Sequence, residues 1–455
     1  MGEPEHHRRA LVSLAGPVYF ELLAGVTAGI VNMVWVARLG GDAVAAVAVA
    51  TNVENLLLGV ILVAGSGTTV LVARARGAGD RAARRAAVRG GWALWALVTP
   101  VVAVGGYVCR EPLARLVLGG DDGPALSLAT GYFAIALPGI AVFFAANVVD
   151  GILKGAGDTR TPMKLAALAN GLILVLDPLL VLGLDLGVRG AAISTVLGRT
   201  VALGRGLLVL RRTDLLSSAP DEASPSSGSA GAGVVGLGAD LRRTAATGLP
   251  MSADFLIRMA GALALVAVVA RIGVAEVAAY GIATKALYVA TMSFYAVRQA
   301  AAIHTAHLLG AGRDERRGIG RQALALSGTL GVAAALVLLA VAGWVLRGFG
   351  ATGEVADAGA LYLRCSGPYL VLLACFIALG GVFEGSGGSP ALARITSCGV
   401  VLQLALAAVL SRAGLPGVCL AMALSMAAQC AAVARMYRRT ARAGTAGDGI
   451  VSGVS

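Results

Sequence analysis

The sequence predicts an all-α membrane protein: twelve transmembrane helices arranged as two pseudo-symmetric six-helix bundles. Three observations lead there. The 455 residues are 57% hydrophobic and 14% charged, against about 25% charged in soluble domains. The apolar residues fall in runs of about 20 or more, enough to cross about 30 Å of hydrocarbon at 1.5 Å per residue. The second half of the chain also repeats the first.

Spans are expected at 11–37, 46–73, 90–109, 126–150, 165–184, 188–210, 244–270, 278–306, 322–346, 358–383, 395–411 and 416–434. The arm "MGEPEHHRRALVSLAGPV" runs straight into a full-length span. It lacks the short apolar core and small-residue cleavage site of a secretory signal, so no cleavage is expected. An even number of spans puts both termini on one side. That side carries most of the Lys and Arg, six of them within 74–89, against eight on the other side. Both termini are therefore expected on the cytoplasmic side. The net charge of +12 reports this orientation and requires no nucleic-acid site. Six cysteines without a C-x-x-C spacing read as packing residues.

A shift of 233 residues aligns Pro17 with Pro250, "VARLG" (36–40) with "VARIG" (269–273), and "GAG" (77–79) with "GAG" (310–312). A shift of 230 pairs Tyr132 with Tyr362 and Pro138 with Pro368, and sets "GILKGAGD" (151–158) beside "GVFEGSGG" (381–388). Six spans per copy is an even number, so the copies are parallel repeats about an axis along the membrane normal. The expected layout is a first lobe over 1–212, a flexible cytoplasmic linker over 213–243, a second lobe over 244–437 and a cytoplasmic tail over 438–455. The Ser-, Gly-, Ala- and Pro-rich composition of the linker offers too little apolar surface to pack.

Ionisable groups inside spans cost about 2.5 to 3.5 kcal/mol each on insertion scales, so each needs a reason. Asp177 precedes Pro178, whose ring and missing N–H leave carbonyls seeking partners, a setting suited to a proton or cation site. Glu21 lies eleven residues before Asn32, about 20° away on the helix face, so both are expected to face one polar cleft. Gly25 and Gly29 lie between them as a small-residue stripe for close helix approach. Asp254 occupies the place equivalent to Glu21, with Arg258 one turn on as an ion-pair partner. Lys285 and Arg298 either line the cleft, where they would favour an anionic or zwitterionic cargo, or pair with Asp254 or Glu54. Asp177 and Glu21 are thus the candidate cation-coupling groups. Asn32, Glu54, Asp254, Arg258, Lys285 and Arg298 are the candidates for a substrate cavity. His304 and His307, one turn apart, read as capping histidines rather than a metal pair. "GAGD" (155–158) lacks the P-loop Lys-Ser/Thr and reads as a turn. Without a nucleophile-base set or an ATPase motif, neither an enzyme nor a bound cofactor is expected.

Four segments carry a resemblance: "PVYFELLAGVTAGIVNMVWVARLGGDAVAAVAVA" from residue 17, "GILKGAGDTRTPM" from 151, "LDPLLVLGLDLGVRGAAIST" from 176, and "GLPMSADFLIRMAGALALVAVVARIGVAEVAAYGIATKAL" from 248. Together they resemble the multidrug and toxic compound extrusion (MATE) family of bacterial type over nearly the whole chain. The resemblance implies twelve helices around a central cleft. It also implies a secondary active antiporter that exports organic compounds, drugs or secondary metabolites, in exchange for H⁺ or Na⁺ by alternating access of two lobes. The expected partners are a small organic substrate, the coupling ion and the lipid bilayer, which the resemblance implies is a bacterial plasma membrane, with the protein acting as a monomer. In the bacterial members an acid on the first helix and an Asp in a Leu-Asp-Pro context on the fifth are tied to coupling. The matching residues here are Asn32 and Asp177, and Ile173 stands where the family often has Asn. The alternatives are a flippase for a lipid-linked precursor of the same broad superfamily, or an uncoupled membrane scaffold.

Overall fold

A computed structural model describes residues 3–118, 123–213, 230–348 and 353–451. Among these residues every regular element is helical. The first half contains α1 (Glu3–Ala37), α2 (Gly41–Gly77), α3 (Arg81–Val108), α4 (Arg110–Val117), α5 (Pro124–Gly155), α6 (Arg160–Pro178) and α7 (Gly187–Arg212). A π-helical turn, Leu179–Gly183, continues α6. The second half contains α8 (Ala230–Val269), α9 (Val274–Gly310), α10 (Arg316–Gly348), α11 (Gly353–Cys365), α12 (Gly367–Ser386), α13 (Ser389–Leu410) and α14 (Gly414–Val451).

Ten helical stretches among the described residues are long and apolar enough to cross a membrane. One of them, 389–438, holds both α13 and α14, while α9 is long but carries Lys285 and Arg298 in its apolar run. Separating the first and adding the second gives twelve membrane crossings, six per half. The chain is an all-α multi-pass membrane protein with two six-helix bundles.

The compact units do not divide where the repeat divides. One is Phe20–Ser252; the other combines Met1–Tyr19 with Ala253–Ser455. Each crossover falls two residues after a proline inside a continuous helix, Pro17 in α1 and Pro250 in α8. The start of each helix therefore belongs to one unit and its remainder to the other. The expected linker overlaps the start of α8. Residues 214–229 lie outside the described residues, but from Ala230 the chain is helical and forms the start of α8. The expected tail continues α14 as far as Val451, with 452–455 outside the described residues.

Within the first unit α5 packs along α2, α3 and α7; within the second, α12 packs along α9, α10 and α14. The backbone approaches of α5 to α2 and of α12 to α9 are equivalent. A Cβ on Gly151 would meet the carbonyl oxygen of Gly65 at 2.5 Å, and one on Gly381 would run into that of Arg298. Gly155 on Thr69 and Gly385 on Ala302 repeat the pattern one turn on. Glycine is needed here because only a missing side chain lets the two helix backbones touch. This contact brings the polar residues of α2 and α9 against those of α5 and α12.

Candidate functional site

In the first unit, Asp177 is fully buried at the end of α6. Asn32 of α1 donates from Nδ2 to its Oδ2 at 2.8 Å, and the Ser194 hydroxyl of α7 donates to its Oδ1. Both partners are neutral. Directly after Asp177, Pro178 interrupts the α pattern and the next turn widens, with Leu184 N–H reaching back to the Leu179 carbonyl at 2.8 Å. Three helices thus converge on one carboxylate beside a locally rewound backbone.

Glu21 does not join this group. Its Oε1 accepts from Lys154 Nζ at 2.7 Å, with both side chains nearly buried, and a second acid, Asp150, lies one turn before Lys154 and within its electrostatic reach. Glu21 Oε2 is buried without a hydrogen-bond partner among the described residues. Glu21 and Asn32 thus share a helix face but serve different centres. The expected glycine stripe closes no helix pair, since a Cβ on Gly25 or Gly29 would meet nothing within 4 Å. Glu54 accepts from Tyr132 Oη at 3.1 Å, with Arg199 acting on it through space and stacking over Phe143 at 4.0 Å.

In the second unit, Asp254 is 1% exposed. Its Oδ2 accepts from Arg258 and from Arg298 Nη2, the latter at 2.7 Å, and its Oδ1 accepts from Thr396 at 2.5 Å. The same Arg298 nitrogen reaches Glu384 Oε1 at 2.6 Å. Lys285 is exposed on α9 and takes no part in this cluster. His304 is buried rather than capping: its Nε2 lies 3.1 Å from Nδ1 of His7, whose own Nε2 lies 3.1 Å from Glu315. No group of three metal-ligating side chains occurs among the described residues.

Reading the sequence alone missed Lys154, Asp150, Ser194, Glu384, Thr396 and His7. One signal for two of them was present. The repeat sets Lys154 opposite Glu384, and an ionisable group at both equivalent positions inside apolar helices requires partners.

Parallel six-helix repeats with buried ionisable centres in each unit define a membrane transporter fold. The family model MatE matches residues 17–179 and 250–409, and the chain belongs to this multidrug and toxic compound extrusion family, whose members are transporters rather than enzymes. It is 31% identical over 204 residues to the probable multidrug resistance protein NorM of Thermotoga maritima, a match covering 43% of each chain. It is 25% identical over 325 residues to the FAD transporter of Shewanella oneidensis, covering 70% of this chain and 68% of that one. The chain thus spans less than half the length of the first relative. Among solved structures, an outward-facing multidrug resistance MATE family transporter of the MOP superfamily matches with a TM-score of 0.86, 23% identity and 97% of both chains. A MOP superfamily transporter from Pyrococcus furiosus Vc1 matches with a TM-score of 0.85, 22% identity and 96% of both chains. At these identities the likeness is one of fold.

Proposed function

We propose that this chain is a secondary active antiporter of the bacterial plasma membrane that exports a small organic compound in exchange for H⁺ or Na⁺. Both termini lie in the cytoplasm, and the transport unit is a monomer. Asp177 is the principal coupling group, Glu21 contributes to coupling, and Asn32 lines the cavity of the first unit.

The supporting observation is a fully buried carboxylate held by two neutral donors. An acid bonded to a guanidinium has its charge matched, and removing that charge strands the partner. Among the described residues Asp177 has no such counter-charge to strand. It can accept both hydrogen bonds as a carboxylate, or hold a proton while the amide and hydroxyl rotate to other acceptors. The same oxygens, with those of Asn32 and Ser194, are hard donors suited to Na⁺. Binding of the ion favours one state of the carrier and binding of the cargo the other, which is the differential affinity that alternating access requires.

The test is efflux from proteoliposomes under separate H⁺ and Na⁺ gradients, with a panel of cationic, neutral and anionic compounds. One gradient is expected to drive export, and Asp177→Asn to abolish the drive while the protein stays folded. Export that continues undiminished in Asp177→Asn overturns the assignment. Absence of flux under either gradient overturns the antiporter reading.

A further inference from the structure

We propose that the second unit carries a binding site for an organic anion, in which Arg258 and Arg298 take an acidic group on an aromatic cargo. As a transport site this rests on the antiporter reading; as a binding site it stands alone.

The charges of the cluster balance, with Asp254 and Glu384 against Arg258 and Arg298, but its hydrogen bonds do not. Asp254 is filled by Arg258, Arg298 and Thr396, and Glu384 takes Arg298. Nε and Nη1 of Arg258 and Nη1 of Arg298 remain buried with no hydrogen-bond partner among the described residues. Arg298 is 6% exposed. Buried donors in native proteins are almost always satisfied, so three on two adjacent guanidinium groups call for an acceptor. The carboxylates of the cluster cannot supply it from where they stand. An incoming carboxylate, phosphate or sulfonate brings two or three acceptor oxygens, and charge-assisted bonds to guanidinium are the strong ones.

The repeat marks both cations as specific to this unit. Under the shift of 233, Arg258 falls on Gly25 and Arg298 on Gly65. The first unit neutralises its equivalent acid, Glu21, with one lysine from α5. The second has an acid at that lysine's place, Glu384, and supplies its cations from α8 and α9 instead. The surroundings are aromatic: the rings of Tyr295 and Phe376 each lie 5.9 Å from Arg258 Cζ, and Tyr369 lies within its electrostatic reach. Arg258, Tyr295 and Tyr369 are half-buried rather than sealed. Donors for an anion beside half-open ring faces fit a planar aromatic acid. A cation finds both oxygens of Asp254 taken and Glu384 already paired with Arg298.

The experiment measures binding to the full chain in phosphatidylcholine nanodiscs with three fluorescent probes of one shape: 2-naphthoate, 2-naphthamide and 2-naphthylmethylammonium. Naphthoate is expected to bind at least about tenfold tighter than either analogue, the effect of one charge-assisted hydrogen bond. The charge-neutral double variant Asp254→Asn/Arg258→Gln is expected to bring the three to parity. Should it not fold, Arg258→Lys keeps the charge but removes Nε and Nη1, and is expected to lose most of the preference. Parity in the unaltered protein, tighter binding of the ammonium probe, or a preference that survives both substitutions overturns the proposal. Naphthoate binding abolished by phosphatidylglycerol in the disc would assign the site to a lipid headgroup and overturn the cargo reading. Naphthoate preference without ion-driven flux would sink the antiporter reading and leave this site; flux with parity of the probes would do the reverse.

Discussion

The two units share a backbone plan and differ in the polarity they bury. In both, a glycine pair on one helix touches the carbonyls of another, Gly151 and Gly155 in the first unit, Gly381 and Gly385 in the second. Upon that common contact the two units differ in polarity at four equivalent places. Leu265 and Leu287, both buried in the core of the second unit, stand at the places of Asn32 and Glu54. Arg258 and Arg298 stand at the places of Gly25 and Gly65. The result is one unit with an acid bonded only to neutral groups, and another with unfilled guanidinium donors. A duplicated scaffold can therefore divide its work: packing residues hold the shared geometry while the polar positions diverge.

The harshest way to break this comparison is to remove the cation from each buried cluster. Arg298→Ala leaves Glu384 without its only ion pair among the described residues and takes one partner from Asp254. Stripping one member of a buried pair costs about 3 to 5 kcal/mol, because the remaining charge stays desolvated. Lys154→Ala leaves Glu21 without the cation it pairs with among the described residues and is expected in the same range. Unfolding in nanodiscs checks both. Adding Glu384→Gln to the first and Glu21→Gln to the second should restore much of the loss. A loss under about 1 kcal/mol in either single variant would mean that water already solvates that cluster.

A gentler change turns one unit toward the other. Asn32→Leu copies Leu265 and removes the donor to Asp177 Oδ2. Leaving a buried acceptor short of one partner costs about 1 to 3 kcal/mol. Export under the driving gradient is expected to fall with it. Asn32→Asp instead places a second carboxylate beside Asp177, and one shared proton then holds the pair. The expected readout is an altered H⁺ against Na⁺ dependence of export. If both variants export like the unaltered chain under both gradients, Asn32 has no part in coupling.

Much of this architecture was legible in the sequence because it rests on local quantities. Apolar runs set the spans, and the repeat set their pairing into two bundles. What escaped were features decided across the fold. The proline rule gives opposite answers at equivalent sites: Pro138 sits inside unbroken α5, whereas Pro368 opens α12 after a break at Ser366. There Ser366 turns its hydroxyl back to the Leu363 carbonyl at 2.8 Å. Asp177 was marked by its Leu-Asp-Pro setting, but Ser194 had no local mark and is a partner only because α7 returns beside α6. Lys154 lay hidden in a turn-like "KGAGD", with its partner 133 residues away. His7 and His304 are 297 residues apart, a pairing that depends on the start of α1 belonging to the second unit.

The smallest expected effect is also the sharpest test of divergence at one position. Tyr132 and Tyr362 are equivalent and both buried, but the hydroxyl of the first donates to Glu54 at 3.1 Å and that of the second to Met422 sulfur at 3.6 Å. A hydrogen bond to a carboxylate is worth about 1.5 to 3 kcal/mol, whereas a thioether is a weak acceptor. Tyr132→Phe should therefore destabilise its unit measurably, and Tyr362→Phe by no more than about 1 kcal/mol, the ordinary neutral bond. Installing the missing acid with Leu287→Glu would place a carboxylate at the site equivalent to Glu54. In that background Tyr362→Phe should become the costlier change. Equal effects of the two tyrosine variants in the unaltered chain would show that Glu54 draws its support from elsewhere, with Arg199 the first residue to examine.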